Sequence, residues 1–88
     1  MLSRPILNPR ELGQMLRSER RALGLTQQAV ADATGYRRQT ILDLEAGRNV
    51  SVQTLFAALG ALGKGMQLVD ARPDIDQLSA LLDAPDED

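Results

Sequence analysis

The sequence predicts a mainly α-helical fold of four to five short helices, followed by one short β-strand and an acidic tail. Apolar residues recur at spacings of three and four along several stretches, which is the periodicity of one helix face. Ser, Thr or Asn precedes three of these stretches and glycine follows them, as expected at helix ends. With 88 residues the chain has the length of one domain. Its predicted segments are an arm (1–7), a helical domain (8–64), a strand (65–72) and a tail (73–88).

The first helix is predicted to begin at Pro9 and to end at Gly24. Asn8 can cap it, Pro9 sits where its missing N–H costs nothing, and Glu11 can reach back to the Asn8 backbone. Its inward stripe is Leu12, Met15, Leu16 and Leu23, with Glu19 at the edge. This helical spacing predicts one packed face.

Residues 26–47 (TQQAVADATGYRRQTILDLEAG) predict two short helices joined by a tight turn. Thr26 can cap the first of them, and Gly35 can adopt the positive φ that ends it. In the second helix, Ile41 and Leu44 should face the core. The residues that then point outward are Arg38, Gln39, Leu42 and Asp43. An outer face with Arg and Gln is suited to the major groove of DNA, because Arg matches guanine and Gln matches adenine.

This stretch resembles the helix-turn-helix of the phage-repressor-like (Cro/C1, or XRE) family. The matching features are the opening at residues 26–31, Gly35 in the turn, the Thr40-Ile41 pair, and the closing residues 44–47. The resemblance implies a helix-turn-helix fold that binds double-stranded DNA. The alternative from the residues alone is a helical hairpin that binds protein.

The resemblance also implies roles for individual residues. The candidate base contacts are Arg37, Arg38, Gln39 and Asp43, and the candidate phosphate contacts are Gln27, Gln28, Thr40 and Arg48. Three of these roles stay open: Gln27 fits a solvated first helical residue as well, Arg37 fits a base or a phosphate, and Thr40 fits an internal hydroxyl.

Asp43 and Leu42 depart from the family pattern. Phosphates repel an acidic group, so Asp43 must accept from a cytosine amine or hold Gln39 or Arg38 in place, and the intramolecular role is favoured. Leu42 fits either a thymine methyl or a neighbouring helix. A further implication of the resemblance is structural: Arg20 and Glu45 should form an ion pair between the first and third helices.

Ser51 can cap a fourth helix, in which Leu55, Phe56, Leu59 and Leu62 form the expected inward stripe. The residues Met66, Gln67, Leu68, Val69 and Asp70 then predict a short strand. A lone strand has no partner in an otherwise helical chain, so an antiparallel pair across a two-fold axis, and hence a homodimer, is expected.

The fourth helix running into residues 62–72 is similar to the HipB-type antitoxins, and the similarity covers about residues 7–72, which is most of the chain. That resemblance implies autoregulation of an operon through pseudo-palindromic operator DNA, and neutralisation of a HipA-like serine/threonine kinase. In the tail, Ile75, Leu78, Leu81 and Leu82 fit one helical stripe. The two interpretations of the tail are a disordered solubilising segment and a peptide that folds on a partner protein.

Charge is distributed unevenly along the chain. Residues 1–64 carry nine basic and five acidic side chains, whereas residues 65–88 carry one and seven. A basic body with an acidic tail indicates a nucleic-acid face and a separate second function. The chain has no His and no Cys, and no nucleophile–base pair or phosphate loop, so an enzyme, a cofactor, a metal site and a small-molecule substrate are not expected.

The sequence thus predicts a cytoplasmic, DNA-binding repressor and antitoxin with no membrane segment. A stand-alone phage-type or restriction-control regulator is one alternative. A protein-interaction module that no longer binds DNA is another, and it is favoured by Asp43, Leu42 and the net charge of −2.

Overall fold

Four α-helices make up the computed structural model, which describes residues 5–71. They are α1 (Pro9–Ala22), α2 (Gln27–Thr34), α3 (Arg38–Glu45) and α4 (Val52–Ala61). The predicted mainly helical fold is confirmed. Three helices begin at a capping side chain: Asn8 Oδ1 accepts from the Glu11 N–H at 2.9 Å, Thr26 Oγ1 from that of Ala29 at 3.0 Å, and Ser51 Oγ from that of Thr54 at 3.0 Å.

The core is formed where α1 and α2 pack against α3 and α4 packs against α2. Its buried members are Leu16, Val30, Ala31, Ile41, Leu44, Ala58, Leu59 and Leu62. Ile41 of α3 is 1% exposed and is the largest fully buried side chain. The buried side chains of α3 therefore fix this helix against the core, and the opposite face of α3 is left in solvent.

Phe56 does not lie in the core, contrary to the sequence prediction. It is 55% exposed, whereas its neighbour Leu55 packs against the core. Adjacent residues on a helix point about 100° apart, so only one of the two can face inward, and Leu55 keeps the spacing of Leu59 and Leu62. The inward stripe predicted for α1 also contained too many residues, since Met15 and Leu23 are exposed.

Residues 64–71 follow α4 as a segment with no helix or strand within the single chain. The predicted strand Met66–Asp70 needs a second chain for its ladder, so it stays a prediction. The tail stripe of Ile75, Leu78, Leu81 and Leu82 and the first part of the arm lie outside the described residues.

Gly13 of α1 lies directly against the backbone of α3. It is buried, and a Cβ atom at this position would lie 2.7 Å from the carbonyl oxygen of Leu44. The obstacle is backbone, which cannot rotate away as a side chain can. The absence of a side chain at Gly13 therefore sets the distance between α1 and the outward-facing helix.

Gly13→Ala is expected to lower the free energy of unfolding by about 2 kcal/mol, because α1 and α3 must separate to admit the methyl group. Gly60→Ala is the matched control: Gly60 also lies within a helix, but nothing lies within 4 Å of a Cβ placed there. That change should stabilise by about 0.5–1 kcal/mol through helix propensity. Urea titrations of both variants measure the difference, and equal behaviour would contradict the close approach at Gly13.

Candidate nucleic-acid interface

The outward face of α3 carries most of the predicted base contacts. Arg37, Arg38 and Gln39 are exposed at its beginning, and Thr40 and Asp43 are half-buried further along. Gly35 ends α2 with a φ of 79°, which turns the chain into α3. The two helices of the predicted motif are therefore present, and the second presents a polar, arginine-containing surface.

Asp43 joins two other predicted DNA contacts in one network. Its Oδ1 atom accepts a hydrogen bond from Gln39 Nε2 at 2.9 Å and another from Arg48 Nη1 at 2.8 Å. The Arg48 backbone N–H also donates to the Asp43 carbonyl oxygen at 2.9 Å. The favoured sequence interpretation, in which Asp43 holds a neighbouring side chain, agrees with this geometry for Gln39 rather than for Arg38.

The same network stabilises the charged form of Asp43. The hydrogen bond from Arg48 is the main cause that lowers the pKa of the Asp43 carboxyl, and the hydrogen bond from Gln39 lowers it further. Asp43 is therefore a carboxylate at neutral pH and can act only as a hydrogen-bond acceptor.

A buried ion pair lies beneath this face and joins α1 to α3. Arg20 Nε donates to Glu45 Oε2 at 2.6 Å, and Arg20 Nη2 donates to Glu45 Oε1 at 3.0 Å. The remaining Arg20 nitrogen, Nη1, donates to the Leu25 carbonyl oxygen at 2.8 Å. The side chains are only 10% and 6% exposed. The structure thus brings together the two residues that the resemblance paired, and it adds the α1–α2 loop to their network.

The two glutamines at the beginning of α2 are each bonded to an acidic side chain. Gln27 Nε2 donates to Glu45 Oε1 at 3.2 Å, so Gln27 belongs to the ion-pair network. Gln28 Nε2 donates to Asp32 Oδ1 at 2.8 Å along the same helix. Gln27 is therefore not the simple solvated residue that the sequence left open, and its side-chain oxygen is oriented by Glu45.

An open cleft of about 690 Å³ runs between the second half of α1 and the beginnings of α2 and α3. It is lined mainly by basic and amide side chains: Arg17, Arg20, Arg21, Gln27, Gln28 and Arg38. Sequence analysis did not identify Arg17 or Arg21 as candidates. The spacing of Arg17, Arg20 and Arg21, at i, i+3 and i+4, placed them on one face of α1 and could have indicated this basic surface.

Between residues 5 and 71 the structure offers neither a membrane span nor a metal site. No helix in this range is long and apolar enough to cross a membrane. No group of three or more His, Cys, Asp or Glu side chains in the same range could hold a metal ion.

Two helices joined by a tight turn, with exposed Arg and Gln on the second, define a helix-turn-helix DNA-binding domain. The chain matches the helix-turn-helix family HTH_3 over residues 16–69 and belongs to that family. It is a DNA-binding regulator of the Cro/C1 (XRE) type, as the sequence resemblance implied. A search of curated proteins found no match.

Several solved structures of HipB are similar to this chain. The HipB–O4 20mer complex has a TM-score of 0.74 and 30% sequence identity, and the match covers 80% of this chain and 100% of that one. The HipA–HipB–O2–O3 complex gives a TM-score of 0.74 at 28% identity, with the same coverage. The restriction-modification controller protein C.AhdI from Aeromonas hydrophila gives 0.58 at 36% identity, covering 61% of this chain and 83% of that one. The resemblance to HipB-type antitoxins is confirmed.

Proposed function

We propose that this chain is a homodimeric operator-binding repressor and the antitoxin of a HipB-type toxin–antitoxin pair. The observation that carries the proposal is the match over the full length of HipB in complexes with O4 and with HipA, O2 and O3. A DNA-binding regulator of this kind acts in the cytoplasm and needs no cofactor.

In this proposal the outward face of α3 lies in the major groove. Arg37, Arg38 and Gln39 contact base edges, with Arg suited to guanine and Gln to adenine. The phosphate contacts come from Gln27, Gln28, Thr40 and Arg48, to which the basic cleft adds Arg17 and Arg21. Phosphate contacts fix the position of the protein on the duplex, and base contacts select the sequence.

Exposed apolar surface supports the homodimer. A groove of about 860 Å³ lies between α1, α4 and the segments that precede and follow them. Its exposed apolar lining comprises Ile6, Leu7, Met15, Val52, Met66, Leu68 and Val69. Leu68 is 97% exposed in the single chain, which is a poor state for a leucine within a predicted strand. A second copy that pairs its own residues 66–70 with this strand would cover that surface.

A two-fold axis between the copies would place the two α3 helices roughly 34–36 Å apart, one turn of DNA. The operator is then a pseudo-palindrome whose half-sites each meet one subunit. Each base contact is made twice in the dimer, so a substitution in α3 removes two contacts at once.

The antitoxin part of the proposal assigns a HipA-like serine/threonine kinase as protein partner. It is supported by the HipA–HipB–O2–O3 complex among the similar structures. The acidic segment 73–88, with its apolar residues Ile75, Leu78, Leu81 and Leu82, offers a candidate kinase-binding peptide that is separate from the basic DNA face.

A stand-alone regulator of the restriction-control type is the second candidate. C.AhdI supports it, since its identity of 36% is higher than that of the HipB chains above, although it covers less of this chain. The gene next to this one separates the two candidates, because an antitoxin requires a neighbouring kinase reading frame. The third candidate is a protein-interaction module without DNA binding. The Asp43–Arg48 pair supports it, and the DNA titration described next tests it.

The direct test is a fluorescence-anisotropy titration of the purified protein with the DNA upstream of its own gene and with a scrambled duplex. Tight, sequence-dependent binding with a steep salt dependence is expected, because each phosphate contact releases counterions. Weak and equal binding of both duplexes would reject the repressor and favour the protein-interaction module.

Deletion of residues 73–88 tests the division between the two surfaces. Operator affinity should stay within about twofold, since none of the proposed phosphate contacts belongs to the deleted segment. Binding to the neighbouring kinase, measured by calorimetry, should weaken at least tenfold. Loss of operator affinity with intact kinase binding would reverse the assignment.

A further inference from the structure

One carboxylate oxygen connects α3 to the loop that follows it. Gln39 Nε2 and Arg48 Nη1 both donate to Asp43 Oδ1, at 2.9 and 2.8 Å. Among residues 5–71, the second oxygen of Asp43 accepts no bond from a side chain. Asp43 is the residue that makes this surface differ in charge from a purely basic DNA face.

The chemistry of the carboxylate limits the orientation of the Gln39 amide. A carboxylate accepts hydrogen bonds and cannot donate, so it must face the NH₂ group of Gln39 and not its carbonyl oxygen. Gln39 is then left with one free N–H and one free carbonyl oxygen. This donor–acceptor pair is complementary to N7 and N6 of adenine. The flipped amide would instead present two N–H groups, which match O6 and N7 of guanine.

Asp43 also affects Arg48, by reducing its attraction to DNA phosphates. The Arg48 side chain is 62% exposed, yet its guanidinium is paired with the Asp43 carboxylate. Attraction to phosphates of any sequence supplies most non-specific affinity. An adjacent carboxylate reduces that attraction, and it does so equally on every sequence.

We propose that Asp43 is a positioning residue that sets base preference, because it holds Gln39 in the orientation that selects adenine. It also weakens the attraction of Arg48 to the phosphates of non-specific DNA. This inference rests on the proposed DNA-binding function. Asp43 acts through Gln39 and Arg48 and needs no contact with DNA of its own.

Selection of bound duplexes from a randomised DNA library, followed by sequencing, tests the proposal with the full-length protein. Wild type should prefer adenine at one position of each half-site. Asp43→Asn should admit guanine there as well, because an Asn NH₂ group can donate to the Gln39 carbonyl oxygen and so permit the flipped amide. The preference for adenine over guanine should fall roughly 5-fold or more, since a good bidentate contact supplies about 5- to 150-fold discrimination.

Asp32 supplies the matched control. It accepts from Gln28, four residues earlier on α2, at 2.8 Å, which reproduces the Gln39–Asp43 arrangement without an arginine. Asp32→Asn removes the same charge, so it should change affinity for all sequences together and leave the selected motif unchanged. Asp43→Asn should also raise affinity for a scrambled duplex at low salt, because Arg48 is released.

The dependence on Gln39 separates positioning from a general structural effect. In a Gln39→Ala background, Asp43→Asn should cause no further change in base preference at that position. An unchanged motif for Asp43→Asn, with wild type selecting a clear one, would overturn the inference while leaving the DNA-binding function intact. A wild type that selects no motif would overturn both.

Discussion

Arg20→Ala is expected to lower the free energy of unfolding by about 3 kcal/mol, because it leaves the Glu45 carboxylate buried without its partner. Arg20 donates through three nitrogens to Glu45 and to the Leu25 carbonyl oxygen. For a domain of this size the melting temperature should fall by about 12 °C or more. Thermal unfolding followed by circular dichroism, at a fixed chain concentration, measures the change, since dimerisation makes the melting temperature depend on concentration.

Arg21→Ala is the control for charge and helix position. Arg21 is the next residue of α1 and is exposed, so its loss should change stability by no more than about 0.5 kcal/mol. The double variant Arg20→Met with Glu45→Leu should recover much of the loss, because replacing both members of a buried pair by apolar side chains removes the uncompensated charge. A melting temperature for Arg20→Ala equal to that of Arg21→Ala would show that the ion pair adds nothing.

Local chemistry explains why the helix boundaries could be predicted from sequence. Asn8, Thr26 and Ser51 each cap a helix through a bond to a backbone N–H three residues later, so the information lies within four consecutive residues. Gly35 ends α2 because its φ of 79° is one that side chains rarely adopt. The outward face of α3 followed in turn from the inward positions of Ile41 and Leu44.

Packing between helices was harder to predict, because periodicity tells which face is apolar but not how much of it is covered. Phe56 fitted the α4 stripe and yet lies outside a core that eight small or aliphatic side chains already fill. The close approach at Gly13 depends on the distance between two helices, which no local pattern encodes.

The candidate site was predicted by residue type and only in part by connection. Sequence analysis anticipated that Asp43 holds Gln39, but it did not anticipate the bonds from Gln27 to Glu45 and from Arg48 to Asp43. The Asp43–Arg48 bond joins a helix to a loop, so it needs the turn at Gly47 to be folded. The basic cleft was missed because Arg17 and Arg21 lie on a helix outside the motif.

Arg38→Ala is expected to weaken operator binding by about 2–6 kcal/mol, because the dimer loses a contact worth about 1–3 kcal/mol in each of its two half-sites. Arg38 is exposed at the beginning of α3, and it also lines the basic cleft beside Arg17. A base contact predicts that the loss is largest on the operator and that the preference over a scrambled duplex falls. Anisotropy titrations on both duplexes, at two salt concentrations, measure the two quantities.

Arg17→Ala serves as the comparison that shows whether Arg38, which lines the same cleft, contacts a base or a phosphate. Arg17 lies on α1 and not on α3, so its loss should weaken binding to the operator and to the scrambled duplex by the same factor. The slope of log affinity against log salt concentration should also become shallower for this variant, by roughly two units for the dimer, because two phosphate contacts disappear. If Arg38→Ala reproduces this uniform loss, Arg38 belongs with the phosphate contacts of the cleft. Gln39, oriented by Asp43, would then carry most of the sequence preference of α3.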